Sequence, residues 1–211
     1  MSVRLVLIRH AHTEGNGGGE GRAILQGRAN LPLSRRGLHQ VRLLERRLRN
    51  GVRFAAIYSS PLRRARETAA ALTRAGLGPL RFCPMLQEID CGVVDGMPLD
   101  EVQRRFPRVW AANLTQSDEL FSWPGGETYR DFRVRCLEAI STLTSRQNGP
   151  VALVTHAGVI SQILGALAGT SPARWEAFRP GNAALTEIDW TRGSGTVLSF
   201  DDRAHLPAAW R

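Results

Sequence analysis

The chain contains no lysine. All 28 of its basic residues are arginine, set against 19 acidic residues, for a formal net charge of +9 over 211 residues. Without lysine there can be no Walker-type loop, whose lysine reaches the phosphates of a nucleotide. Cysteine is scarce as well. Cys83, Cys91 and Cys136 are odd in number and lack CxxC spacing, which argues against a disulfide framework and against a zinc knuckle. No apolar run approaches about 18 residues, so no transmembrane helix is expected. The apolar stretch from Met1 to Ile8 is too short for a signal peptide. Together these absences lead us to expect a cytoplasmic protein with reduced thiols and no membrane partner.

What is present is ordinary for a globular chain: 43% hydrophobic and 22% charged residues. The length suits one domain able to bury its own core, so residues 1–211 are expected to form a single unit. The arginine excess has three readings. It can be the footprint of a nucleic-acid binder, a field that steers anionic substrates, or the codon usage of a G+C-rich genome. The arginine-rich stretch from Arg35 to Arg49 lacks interleaved aromatics for stacking on single strands. It is read as solvated helix surface, and no nucleic-acid partner is expected.

Hydrophobic patterning alternates strands with helices. Short apolar runs at Val3–Ile8, Phe54–Tyr58, Leu80–Phe82 and Pro150–Thr155 read as strands. Helical spacing is clear over Arg35–Asn50, where Leu38, Val41, Leu44 and Leu48 form a stripe and Ser34 is the candidate N-cap. Further helices are expected over Arg63–Ala75, Pro98–Phe106, Thr128–Arg146 and Val159–Ala168. A closing strand pair, Ala184–Trp190 and Thr196–Phe200, flanks the turn Arg192-Gly193-Ser194-Gly195. The glycine-rich stretch Gly15 to Gly21 reads as a mobile loop. The pattern is that of an α/β protein, a three-layer α/β/α sandwich around a mostly parallel central sheet.

In such sheets ligands bind beyond the carboxyl ends of the strands. After the first strand come Arg9, His10, His12 and Thr13; after the second, Arg63 and Arg64; after the third, Glu88; after the fourth, His156. Guanidinium groups bind phosphate oxygens bidentately, a neutral imidazole can attack phosphorus, and a carboxylic acid can protonate a leaving oxygen. No carboxylate cluster for Mg²⁺ is visible. His10 and His12 lack the further ligands that zinc needs. Neither a metal nor another cofactor is therefore expected, and cationic side chains would stabilise the transferring phosphoryl group.

The segment Leu7-Ile8-Arg9-His10-Ala11-His12-Thr13 resembles the Arg-His-Gly signature of the histidine phosphatase superfamily, in its phosphoglycerate-mutase-like branch. Ala11 stands at the signature's glycine. The resemblance continues through Gln26-Gly27 with Leu31-Pro32-Leu33-Ser34 and Gly37, then Ser59-Ser60-Pro61-Leu62-Arg63-Arg64-Ala65. It runs on through Leu86-Gln87-Glu88 to Gly96, Pro124-Gly125-Gly126-Glu127-Thr128, and Val154-Thr155-His156-Ala157-Gly158.

The resemblance implies an enzyme hydrolysing small phosphate monoesters, with His10 as the phosphorylated nucleophile. Arg9, Arg64 and His156 would hold the phosphoryl oxygens, and Glu88 would be the general acid and then base. Thr13 and Asn16 would line the entrance. Arg22 and Gly158 complete the expected substrate-binding set, and residues 99–123 form a candidate cap. A phosphoglycerate mutase and an α-ribazole phosphatase of cobalamin synthesis are the alternatives. Only 38 residues separate Glu88 from Glu127; the family's longer mutases carry an insertion there, which favours the phosphatase. A basic nucleic-acid-binding protein is the alternative of a different class. The sequence leaves a homo-oligomer open.

Overall fold

A computed structural model describes residues 2–17, 22–49, 51–145, 147–191 and 193–211. Six strands form one sheet: β1 (Val3–Arg9), β2 (Ala56–Ser59), β3 (Leu80–Phe82), β4 (Val151–Thr155), β5 (Leu185–Thr191) and β6 (Ser194–Asp202). Their order is β3-β2-β4-β1-β5-β6. The pairs β1/β4, β2/β4 and β2/β3 are parallel, while β5 runs antiparallel to both β1 and β6. The mostly parallel α/β sheet expected from the sequence is therefore present, with an antiparallel hairpin closing one side.

The apolar runs of β1 and β4 are continuous because both faces of the sheet are covered. Leu5, Leu7, Val151 and Leu153 pack on one face, against Phe132 and Ile140 of α5 (Tyr129–Thr144) and Ile160 and Ile163 of α6 (Ala157–Leu167). Val6, Ile8, Ala152 and Val154 face the other way. They meet Leu44 and Leu48 of α1 (Arg35–Arg49) and Ala65, Ala69 and Leu72 of α2 (Arg63–Arg74). Ser34 caps α1 as expected, its hydroxyl accepting from the Gly37 N–H at 3.1 Å. A side chain at Gly37 would run into the His12 carbonyl, so glycine lets α1 lie directly on the segment after β1.

Several local expectations are corrected. Leu38 is not on the buried stripe of α1; it is exposed, and Gln40 is buried instead. The helices expected from patterning leave residues 107–115 unassigned. After α3 (Leu99–Arg105), a fourth helix, α4, spans Pro107–Thr115. Pro107 punctuates the sequence but sits at the first helical position, where its missing N–H costs nothing. Gly15 is no part of a loose loop: it is buried in a short 3₁₀ turn, Glu14–Asn16. Residues 18–21 of the expected loop lie outside the described residues. Ser194 and Gly195 belong to β6 rather than to the hairpin turn. Among the described residues no helix is long and apolar enough to cross a membrane.

Candidate active site

The site is built where three parallel strands end side by side. β1 and β4 are neighbours, with Arg9 in register with Thr155. The His10 N–H donates to the Thr155 carbonyl at 2.9 Å. His10 and His156, which follow these strands, therefore meet, with ring centroids 5.2 Å apart. Nδ1 of His10 lies 2.8 Å from the Ala11 carbonyl. A carbonyl can only accept, so Nδ1 carries the hydrogen and Nε2 carries the lone pair. Arg64 Nε–H donates to that Nε2 at 3.2 Å. Burial, then the charges of Arg64 and Arg9, holds the His10 pKa well below the ordinary histidine value. The imidazole is neutral and its free nitrogen is oriented.

Arg64 enters from the first turn of α2 and is almost fully buried. Three further donors go to backbone: one on Nη1 to Ala29 O at 2.6 Å, and those on Nη2 to Gln26 O and Gly27 O at 2.8 Å each. Arg9 ends β1 and donates through Nη1 to Pro180 O at 2.7 Å. Its Nε is buried with no partner among the described residues. Burial lowers the Arg64 pKa to about 10 and the Arg9 pKa to about 9, the latter with help from Arg179. Two cations are thus held out of water without a hydrogen-bonded carboxylate, an arrangement that favours an anionic ligand.

His156 sits behind His10, fully buried. Its Nε2 pairs with Ser60 Oγ at 2.8 Å, and its Nδ1 has no partner among the described residues. Like that of His10, its pKa is driven well down, first by burial and then by Arg64. Glu88 faces the site from the loop after β3. Its carboxylate accepts the Gly158 N–H at 3.0 Å and the Ile89 N–H at 3.1 Å. Gly158 lies in the first turn of α6, where backbone N–H groups and the helix dipole favour a carboxylate. A Cβ at Gly158 would collide with that carboxylate and crowd Phe132.

Other expected residues fall in different places. Asn16 lines the cavity. Thr13 is fully buried and acts on Asn16, donating its backbone N–H to Asn16 Oδ1 at 2.9 Å; its hydroxyl lies 2.7 Å from Gln26 Oε1. Arg22 is exposed, paired with Asp100, and is not in the lining. His12 has both ring nitrogens engaged, with Ser34 Oγ at 2.9 Å and the Gly17 carbonyl at 3.2 Å. Of the remaining histidines, His39 is exposed and His205 is half-buried. The Ala11 methyl packs with Leu33, Val41, Ala71 and Ala183, in core, so its replacement of glycine does not narrow the phosphoryl site.

Two supports escaped the sequence reading. Asn182 donates through Nδ2 to the His10 carbonyl at 3.2 Å and to Asn16 Oδ1 at 3.3 Å. Arg135 frames Glu88. It donates to the carbonyls of Met85 at 2.7 Å, Gln87 at 2.9 Å and Glu88 at 3.3 Å, and forks onto Glu127 at 2.8 and 2.7 Å. The only advance signal was Glu127 with Arg135 eight residues on, which spacing alone does not distinguish from helix surface.

Arg9, His10, Arg64, Glu88 and Gly158 all line one cavity of about 400 Å³. The arrangement offers a nucleophilic nitrogen, two cations for an oxyanion and a carboxyl group for proton transfer.

The same set of positions is embedded in a chain with many relatives. A sequence model of the histidine phosphatase superfamily (branch 1) matches residues 5–203. The chain is 29% identical to a metal-independent phosphoserine phosphatase of Arabidopsis thaliana, over 97% of this chain and 83% of the relative. Among solved structures it superposes on Bacillus stearothermophilus YhfR with a TM-score of 0.86 and 29% identity, covering 96% of this chain and 98% of that one. It superposes on the α-ribazole phosphatase from Shigella flexneri with a TM-score of 0.83 and 26% identity, covering 95% and 97%. By this match over nearly its whole length, and with His10, Arg9, Arg64, Glu88 and His156 on the residues that carried the sequence resemblance, the chain belongs to the histidine phosphatase superfamily, branch 1.

Proposed function

We propose that this protein hydrolyses phosphate monoesters through a phosphohistidine at His10 Nε2. The observation that carries the reading is the unprotonated Nε2 of a neutral, oriented imidazole, which accepts from the buried guanidinium of Arg64. In the first step Nε2 attacks phosphorus and the bond to the ester oxygen breaks. Glu88, protonated at that moment, gives its proton to the leaving alcohol. Arg9, Arg64 and His156 hold the three non-bridging oxygens as charge builds on them. In the second step Glu88 takes a proton from water, the water oxygen attacks phosphorus, and the P–N bond breaks. Inorganic phosphate leaves, with His10 neutral and Glu88 protonated again. The charge that a metal would otherwise meet is met by the two arginines, so turnover is expected to survive EDTA.

Residues 99–123 act as the cap of a single unit spanning 1–211 in this reading. Support comes from Leu99, Trp110, Asn113, Leu114 and Trp123, all in the cavity wall. The 38-residue spacing between Glu88 and Glu127 favours hydrolysis over the mutase reaction. Three free cysteines fit a reducing, cytoplasmic setting. No step calls on nucleic acid, a membrane or a second subunit.

The test is hydrolysis of an aryl phosphate with and without EDTA, by the protein and by His10→Ala, together with a quench of ³²P-labelled substrate. EDTA-resistant turnover, lost in His10→Ala, with acid-labile label on His10, is the expected result. Acid-stable label, or label on another residue, contradicts the mechanism.

A further inference from the structure

The two ends of the cavity differ in kind. The phosphoryl end carries Arg9, Arg64, His10 and Glu88. The rest of the lining includes Trp110, Trp123, Tyr129, Leu114 and Ile24. These aromatic surfaces are fixed against one another. Trp110 and Trp123 lie 6.5 Å apart between centroids, Phe121 sits edge-on to Trp123 at 5.4 Å, and Phe121 stacks on Tyr129 at 5.4 Å.

The charges available to a leaving group are few. Besides Arg9, Arg64 and Glu88, the charged lining among the described residues is Arg179 and Glu176, which pair with each other at 3.4 Å. Arg22, the cation expected to add anionic specificity, is engaged with Asp100 outside the lining. The polar group set into the aromatic wall is neutral. Asn113 is buried, its Oδ1 accepts from the Tyr129 hydroxyl, and its amide nitrogen has no protein acceptor among the described residues.

From this we infer that the natural leaving group is an uncharged alcohol carrying a ring or a similarly broad apolar body, seated against Trp110 and Trp123, with one acceptor for the Asn113 amide. The inference rests on the phosphatase reading and narrows it. A small hydroxy acid such as serine or glycerate would bring its carboxylate against an aromatic wall where the further cation among the described lining residues, Arg179, is already paired with Glu176, and burying an unpaired charge is costly. A ring fills the same space and releases water from apolar surface.

The experiment compares kcat/KM for 2-phenylethyl phosphate, phosphoserine and 3-phosphoglycerate. All three are alkyl esters, so the ratio reports how the leaving group is bound rather than the large acidity difference between aryl and alkyl alcohols. The phenylethyl ester is expected to lead by roughly 10- to 200-fold, the range that hydrophobic pocket discrimination reaches. Two variants locate the preference. Trp110→Ala should lower the value for the phenylethyl ester. Leu114→Arg changes an exposed side chain in the lining, so it is safe for folding, and should raise the values for the two hydroxy-acid esters. Each should shrink the ratio by about tenfold, within that same range.

Equal or better turnover of phosphoserine or 3-phosphoglycerate by the unmodified protein overturns the inference and leaves the phosphatase reading standing. A ratio that neither variant moves also overturns it. No turnover of any ester, aryl or alkyl, overturns the phosphatase reading itself and the inference with it.

Discussion

The Nε–H of Arg64 donates to Nε2 of His10 across 3.2 Å. The nitrogen that must attack phosphorus is therefore held by the same guanidinium that would grip the phosphoryl oxygens. On substrate binding this donor is expected to pass from the nitrogen to a phosphoryl oxygen brought beside it, while Nη1 and Nη2 stay anchored on Ala29, Gln26 and Gly27. Lysine keeps the charge but not the fork. Arg64→Lys should lower kcat/KM by about 10²- to 10³-fold, as loss of one oriented oxyanion donor does. Arg64→Ala should in addition lose about 3 kcal/mol of stability, because three carbonyls lose their donor. Steady-state kinetics and urea unfolding of the pair check this; a Lys variant with near-normal kcat/KM would remove Arg64 from the phosphoryl site.

Gly158 has a role that its neighbours set. Its N–H holds Glu88, and a methyl in its place would collide with the carboxylate. Gly158→Ala should therefore act like Glu88→Gln. Both should slow alkyl esters by about 10²- to 10⁴-fold, the range of general acid catalysis. Aryl esters, whose alcohols leave without a proton, should be slowed far less. The values of kcat/KM for a phenyl and an alkyl phosphate in each variant, which report the phosphorylation step and not the shared hydrolysis of phosphohistidine, decide it. Equal slowing of both esters would mean that Glu88 is not the acid.

How much of this was legible in the sequence depends on distance along the chain. His10 and His156 could be found because each follows a short apolar run suited to a strand with both faces buried, and parallel strands line up their carboxyl ends. Arg64 and Glu88 also follow expected strands, and the resemblance gave them their roles. Asn182 and Arg135 were not found, because their partners are 172 residues away for Asn182 and His10, and 47 for Arg135 and Glu88. No local pattern reports such contacts. Leu38 misled for the opposite reason: its spacing fits the stripe, but α1 is rotated to bury Gln40, whose amide oxygen accepts the His12 N–H at 2.8 Å. A tertiary hydrogen bond outweighed periodicity there. The aromatic wall was illegible for a third reason, since Trp110, Trp123 and Tyr129 converge from α4, a loop and α5.

Arg135 is a positioning residue for Glu88. It binds the carbonyls of Met85, Gln87 and Glu88 and is neutralised by Glu127. Arg135→Lys should loosen the Glu88 loop while keeping the charge paired. The expected outcome is a loss of about tenfold for alkyl esters, the lower part of the general-acid range, with inhibition by inorganic phosphate unchanged. Glu127→Gln should follow the same pattern. If both esters and phosphate binding weaken together, Arg135 supports the fold as a whole and not the placement of Glu88.

The two active-site histidines also tie stability to pH. Burial, followed by the charge of Arg64, pushes both His10 and His156 well below the ordinary value. In the unfolded chain they titrate near 6.5. Below that pH the unfolded state takes up protons that the folded state refuses, so stability is intact above about pH 6.5 and falls as the pH drops toward the folded-state values. Each such group contributes a slope of about 1.4 kcal/mol per pH unit. His12 and His205 are shifted in the same direction, chiefly by burial, and add to it. The urea midpoint should therefore decline between pH 7 and pH 5. His156→Gln keeps a polar group near Ser60 but cannot take up a proton. Its unfolding free energy should depend on pH less steeply, by one proton's worth of slope. An unchanged slope in that variant would mean that His156 takes up its proton over the same pH range in the native protein as in the unfolded chain, and the buried neutral pair would have to be abandoned.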